Sequence, residues 1–145
     1  MIRRAAEEDC SDIYRLVCIL EDTEFDPEIF REIYLRQTAD DLYAGFVYEA
    51  DGKIIAFLNM RMEYHLHHTA RIAELLEFVV DNEYRSRGIG REMFEYACTY
   101  AGEHGCVQIE LVSNQRRVRA HRFYEERGMN RSHFGFTMPF DEQAV

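Results

Sequence analysis

The run Val79-Val80-Asp81-Asn82-Glu83-Tyr84-Arg85-Ser86-Arg87-Gly88-Ile89-Gly90 limits what this chain can become more than any other stretch. An apolar segment enters a basic, glycine-punctuated turn and leaves it as a long helical pattern, which is a strand-to-helix connection. Backbone N–H groups at a helix start lack intrahelical acceptors and sit at the positive end of the helix dipole, so they suit a phosphate. Gly88 and Gly90 allow close approach to that backbone, and Arg85, Arg87 and Arg91 add positive charge. Such a turn also serves plain connection, so the rest of the chain must decide between a cradle and a joint.

A chain of 145 residues, 47% hydrophobic, suits one domain spanning residues 1–145. With Lys+Arg 17 against Asp+Glu 27, the net charge is −10, which argues against nucleic acid as a partner and mildly favours a cationic one. Met1-Ile2-Arg3-Arg4 runs straight into acidic residues, and no apolar run reaches membrane-spanning length. A cytoplasmic protein without a membrane partner is expected. Cys10, Cys18, Cys98 and Cys106 fall singly within apolar periodic segments, as buried core thiols do.

Periodicity and turn chemistry predict the order βααβββαβαβ. A short strand at Ile2–Arg4 precedes a helix over 7–21 with Ile13, Leu16, Val17 and Leu20 on one face. Asp26-Pro27 opens a second helix to about Arg36. Asp51-Gly52 turns a hairpin between strands at 43–49 and 53–64, and 72–80 forms the next strand. Residues 88–104 form an amphipathic helix carrying Ile89, Met93, Tyr96 and Ala97. A strand at 107–112, a helix at 117–127 and a final strand at 133–138 complete an α+β, mixed α/β sheet.

The element order, the Arg85-x-x-Gly88-x-Gly90 turn, and Asn114 followed by Ala120-x-x-Phe123-Tyr124-x-x-x-Gly128 resemble the GNAT superfamily of acyl-CoA-dependent N-acetyltransferases. Within it, Glu24-Phe25-Asp26, His65-Leu66-His67-His68, Ala120-His121-Arg122-Phe123-Tyr124 and Ser132-His133-Phe134-x-Phe136-Thr137 are similar to the aminoalkylphosphonate N-acetyltransferases. The resemblance implies a central twisted mixed sheet of six to seven strands with about four helices, whose splayed parallel strands form the acyl-CoA cleft. It implies acetyl-CoA as donor, its pyrophosphate held by Arg85, Ser86, Arg87, Gly88, Ile89, Gly90 and Arg91. Main-chain groups of Phe78 and Val80 would bond the pantetheine arm, as an added strand does. N–H groups near Val79 or Val80 would hold the oxyanion. Asn114 would bond the same arm, or else serve as a turn residue.

An alkylammonium of pKa roughly 10 must lose a proton before it attacks a thioester. The resemblance points to Glu74 as the base, with Glu77 second. Three residues apart on a regular strand, they would face opposite sides, and only one would enter the cleft. Tyr124 would donate to the departing thiolate, although Phe123 and Tyr124 also read as packing aromatics on an amphipathic helix. His65, His67 and His68, grouped so closely, could bind a metal, relay a proton or contact an anionic group on the substrate; they are assigned to the substrate, and no metal is assigned. Arg61, Arg71 or Arg131 would serve a phosphonate. The acceptor implied is a small-molecule amine; a polyamine, a protein lysine or N-terminus, and a non-catalytic acyl-CoA-binding module are the alternatives. Members of the superfamily often form homodimers.

Overall fold

The computed structural model describes residues 1–141, which fall into two compact units, one of Met1–Leu111 and one that begins at Val112. The first unit holds five strands: β1 (Ile2–Arg4), β2 (Tyr43–Ala50), β3 (Lys53–His65), β4 (Ala70–Val80) and β5 (Cys106–Leu111). Its helices are α1 (Cys10–Glu21), α2 (Pro27–Thr38) and α3 (Ile89–Glu103). The sheet runs β1-β2-β3-β4-β5, antiparallel except for the parallel pair β4 and β5.

Local chemistry explains several of these boundaries. Asp26 accepts from the N–H groups of Glu28 (2.9 Å) and Ile29 (3.1 Å), and Pro27 at the first helical position starts α2. Asp51 and Gly52 both take positive φ, 53° and 74°, as the tight turn between β2 and β3 requires. The expected first helix is divided: Glu7–Asp9 form a 3-10 turn and α1 begins at Cys10. Asp9 is drawn inward there, accepting two hydrogen bonds from Arg3 (2.8 and 2.9 Å) and one from the Ala6 N–H (2.7 Å).

The helices cover both faces of the sheet. On one face, Ile13, Leu16 and Val17 of α1 and Tyr34 of α2 pack with Val47, Phe57 and Val79. Each of these fully buried aliphatic side chains contributes about 1.5–3 kcal/mol. On the other, Tyr96 and Tyr100 of α3 meet Phe46 edge-on, with ring centroids 5.2 and 4.9 Å apart. The buried residues of α3 are Ile89, Met93, Phe94, Ala97 and Ala101, so Phe94 joins the inward stripe while Tyr96 stays 41% exposed. Of the cysteines only Cys10 is buried; Cys18, Cys98 and Cys106 are half-buried free thiols.

In the second unit, Asn114 accepts at its Oδ1 from the Arg116 N–H (2.9 Å), and α4 (Val118–Glu126) follows. Gly128, at φ 96°, ends that helix. The final strand expected over 133–138 is not formed, so the sheet has five strands rather than six or seven. The alternation of Phe134, Phe136 and Met138 mimics a half-buried strand, yet all three are exposed. A strand exists only as a member of a ladder, and the described residues of this unit contain no second strand to pair with. Among the described residues, no helix is long and apolar enough to cross a membrane.

Candidate active site

Pairing between β4 and β5 stops short. The parallel ladder runs from Arg71 opposite Cys106 to Leu75 opposite Leu111, and no described strand continues it along Leu76–Val80. On its other side β4 remains paired with β3 as far as Val80 opposite Ala56. The N–H of Asp81 donates to the Ile55 carbonyl at 2.8 Å, so by strand alternation Val79 also turns its peptide groups toward β3. The N–H and C=O of Phe78 and Val80 therefore turn to the open edge.

That edge leads through a 3-10 turn (Asn82–Tyr84) into the basic turn. Ser86 and Gly88 both take positive φ, 64° and 80°, and Gly88 occupies the N-cap position of α3. The Glu92 N–H bonds the Gly88 carbonyl at 3.1 Å, which leaves the N–H groups of Ile89, Gly90 and Arg91 ahead of the first helical bond. Among the nearby cations, Arg87 lies 5.2 Å over the Tyr84 ring and Arg91 pairs with Glu95 at 3.0 Å, while Arg85 is exposed. A β-carbon built on Gly88 meets nothing within 4 Å. The backbone there is open, as docking of a phosphate requires.

The carboxylates behave differently from the sequence expectation. Asn59 lies opposite Glu77, Met60 opposite Leu75 and Arg61 opposite Glu74, so the ladder passes over Leu76 in a β-bulge. One extra residue restores the phase: Glu74 and Glu77 share a face with Arg61 and Asn59 instead of pointing to opposite sides. The hydrogen bonds agree. Asn59 Nδ2 donates to Glu77 Oε1 (3.0 Å) and to Gln37 Oε1 of α2 (2.9 Å), whereas Arg61 donates to Glu74 Oε2 at 3.4 Å and pairs with Glu63 Oε1 at 3.1 Å. Burial pushes the Glu77 carboxyl above the usual range; the Asn59 hydrogen bond opposes this and the charge of Glu21 reinforces it. Glu74 is partly exposed and is tied to a guanidinium.

At the far end of β3, His65, His67 and His68 come together, with ring centroids between 4.4 and 5.7 Å apart. Glu63 and Glu110 stand 4.0 Å from the Nε2 atoms of His65 and His68. Arg71 donates to the His104 carbonyl at 2.7 Å.

Within the second unit, Tyr124 lies on α4 with its ring edge-on to Phe123 (5.6 Å). Burial raises its phenol above the ordinary value, against the pull of the Arg117 charge, so it stays protonated at neutral pH. Arg131 is paired with Glu125 at 2.7 Å. Asn114 holds the turn position that the sequence left open as one of its two roles.

Sequence reasoning missed Asn59 and Gln37, since the β3–β4 register sets Asn59 opposite Glu77 and the placement of α2 brings Gln37 to Asn59. It also missed Glu63 and Glu110 beside the histidines, because cross-strand register brings Glu110 there.

Comparison with known proteins agrees with this geometry. Residues 6–129, a stretch that runs across both units, match the model of the acetyltransferase (GNAT) family. The chain is 33% identical over 136 residues to an aminoalkylphosphonate N-acetyltransferase of Salmonella typhimurium, covering 94% of this chain and 88% of that protein. Its fold is similar to that of a transcriptional regulator from Bacillus halodurans C-125 (TM-score 0.90, 24% identity, 97% of this chain and 99% of the other). It is also similar to glucosamine-6-phosphate N-acetyltransferase from Arabidopsis thaliana (TM-score 0.81, 23% identity, 97% and 98%). A basic glycine turn opening α3, an interrupted parallel ladder beside it and a family match over most of the chain lead to one conclusion: the protein belongs to the GNAT acetyltransferase family and is an acyl-CoA-dependent N-acetyltransferase.

Proposed function

We propose that this protein, acting as a single domain over residues 1–145, transfers the acetyl group of acetyl-CoA to the primary amine of a small zwitterion, an aminoalkylphosphonate. The observation that carries the acceptor class is the 33% identity over nearly the whole chain to an enzyme of that name. The face shared by Glu74, Glu77 and Arg61 supports it, since carboxylates beside a guanidinium complement a molecule with one cationic and one anionic end.

In this reading the Arg85–Arg91 turn holds the pyrophosphate of the donor, and the outward peptide groups of Phe78 and Val80 hold its pantetheine arm. Arg61, the one of the three candidate arginines on the carboxylate face, meets the phosphonate. Glu77 accepts the ammonium proton, because burial raises its pKa and so brings its basicity nearer to that of the amine. Glu74 attracts the ammonium, which exchanges the order in which sequence placed the two. The freed nitrogen lone pair attacks the acetyl carbonyl, and the main-chain N–H of Val80 stabilises the oxyanion, since the Val79 N–H that the sequence offered beside it faces β3. The C–S bond then breaks; the leaving thiolate takes a proton in the step for which the resemblance names Tyr124 as donor, and the second proton of the amide nitrogen passes through water to restore the phenol.

The test is thiol release from acetyl-CoA with aminoalkylphosphonates, polyamines and lysine peptides compared at equal concentration. Highest kcat/KM on the phosphonates is expected. Preference for a polyamine or peptide overturns the acceptor assignment, and coenzyme A binding without turnover on any amine overturns the catalytic one.

A further inference from the structure

We infer that His65, His67 and His68 form a site for a divalent transition metal of the zinc class. The three residues occupy the end of β3 and the turn before β4, where a positive φ at Thr69 (47°) and the bond from its N–H to the Leu66 carbonyl (3.1 Å) close the chain on itself. One ligand nitrogen from each ring lies within 4.8 Å of the others. A tetrahedral ion with bonds of about 2.0–2.1 Å holds its ligand nitrogens roughly 3.4 Å apart, a distance that modest rotations about the side-chain bonds would reach.

Two further observations support a bound metal. The Nδ1 of His65 is buried without a hydrogen-bond partner, an arrangement that a metal bond would relieve. Glu63 and Glu110, each 4.0 Å from a ring nitrogen of the cluster, offer either a fourth ligand or hydrogen bonds that orient the imidazoles. These same carboxylates make the locality negative, which opposes the anionic substrate group that the sequence suggested for these histidines. Imidazole donors select Zn²⁺, Co²⁺ or Ni²⁺ over Mg²⁺ and Ca²⁺, which take oxygen. The ion would tie the end of β3 to the loop before β4, on the face that carries Arg61 and Glu74.

The experiment uses the full chain, stripped with a chelator and titrated with Co²⁺ and then Zn²⁺. One Co²⁺ per chain with the visible d–d absorption of a tetrahedral nitrogen site is expected, displaced by stoichiometric Zn²⁺. His67 is exposed and His68 half-buried, so His67→Ala and His68→Ala should fold, as circular dichroism will verify, and each should weaken binding at least tenfold. Glu63→Gln and Glu110→Gln should weaken it less. His121→Ala and His133→Ala should leave it unchanged. Absence of the absorption bands, or equal binding by the His67→Ala/His68→Ala double variant, overturns the assignment. Because the readout is metal binding, its failure leaves the acetyl-transfer proposal untouched, and failure of that proposal leaves this site standing.

Discussion

Replacing Glu77 with Gln separates proton transfer from everything else this side chain does. Gln is nearly the same shape, and its carbonyl oxygen can still accept the hydrogen bond that Asn59 Nδ2 now gives Glu77 at 3.0 Å. The raised pKa sets the stability sign. Ionised Glu77 is disfavoured in the fold, so its stability penalty is absent below the unfolded value near 4.3. The penalty then grows as pH rises toward the folded value. Glu77→Gln should therefore be at least as stable as wild type at neutral pH. Activity should move the other way: a positioned general base is worth about 10²–10⁴ in rate, or roughly 2.7–5.4 kcal/mol at 1.36 kcal/mol per factor of ten. Thiol release measured from acid to alkaline pH should show that loss in kcat/KM, together with disappearance of the acid limb. Glu74→Gln removes only the partly exposed contact with Arg61 at 3.4 Å and should cost less than tenfold, mainly in KM. If Glu77→Gln keeps its acid limb and most of its rate while Glu74→Gln loses a hundredfold, the base is Glu74 and our reasoning from burial fails.

Gly88→Ala adds a methyl group that meets nothing, so its cost is the left-handed backbone at φ 80°, about 1–2 kcal/mol. Calorimetry should show a lower Tm, and the KM for acetyl-CoA should rise. Asp9→Ala leaves Arg3 without its two-pronged partner, and about 2 kcal/mol should be lost in urea unfolding at pH 7. The Arg3 hydrogen bond holds the Asp9 carboxyl below the usual range, so its stabilisation is full above the unfolded value near 3.9. It disappears as pH falls through the folded value, and the gap between wild type and Asp9→Ala should close in acid.

Much of the site's scaffold was legible because it is written in local chemistry. Asp26-Pro27 caps a helix, Asp51-Gly52 turns a hairpin, and the glycines after Arg85 open α3, each through the dihedral angles and donors of a few neighbouring residues. The strand expected at 133–138 fails for the opposite reason: its alternation is local, whereas a ladder partner is not.

Sequence by itself determined the order of elements through α4, the basic glycine turn that opens α3, and the family. Tertiary structure decided which side chains meet. A bulge at Leu76 turns Glu74 and Glu77 to one face, and the end of the β4–β5 ladder at Leu75 opens the edge beside them. Folding the chain back after β3 gathers three histidines beside Glu63 and Glu110. Each depends on register between strands distant in sequence, and a one-residue slip reverses every face without altering any local propensity.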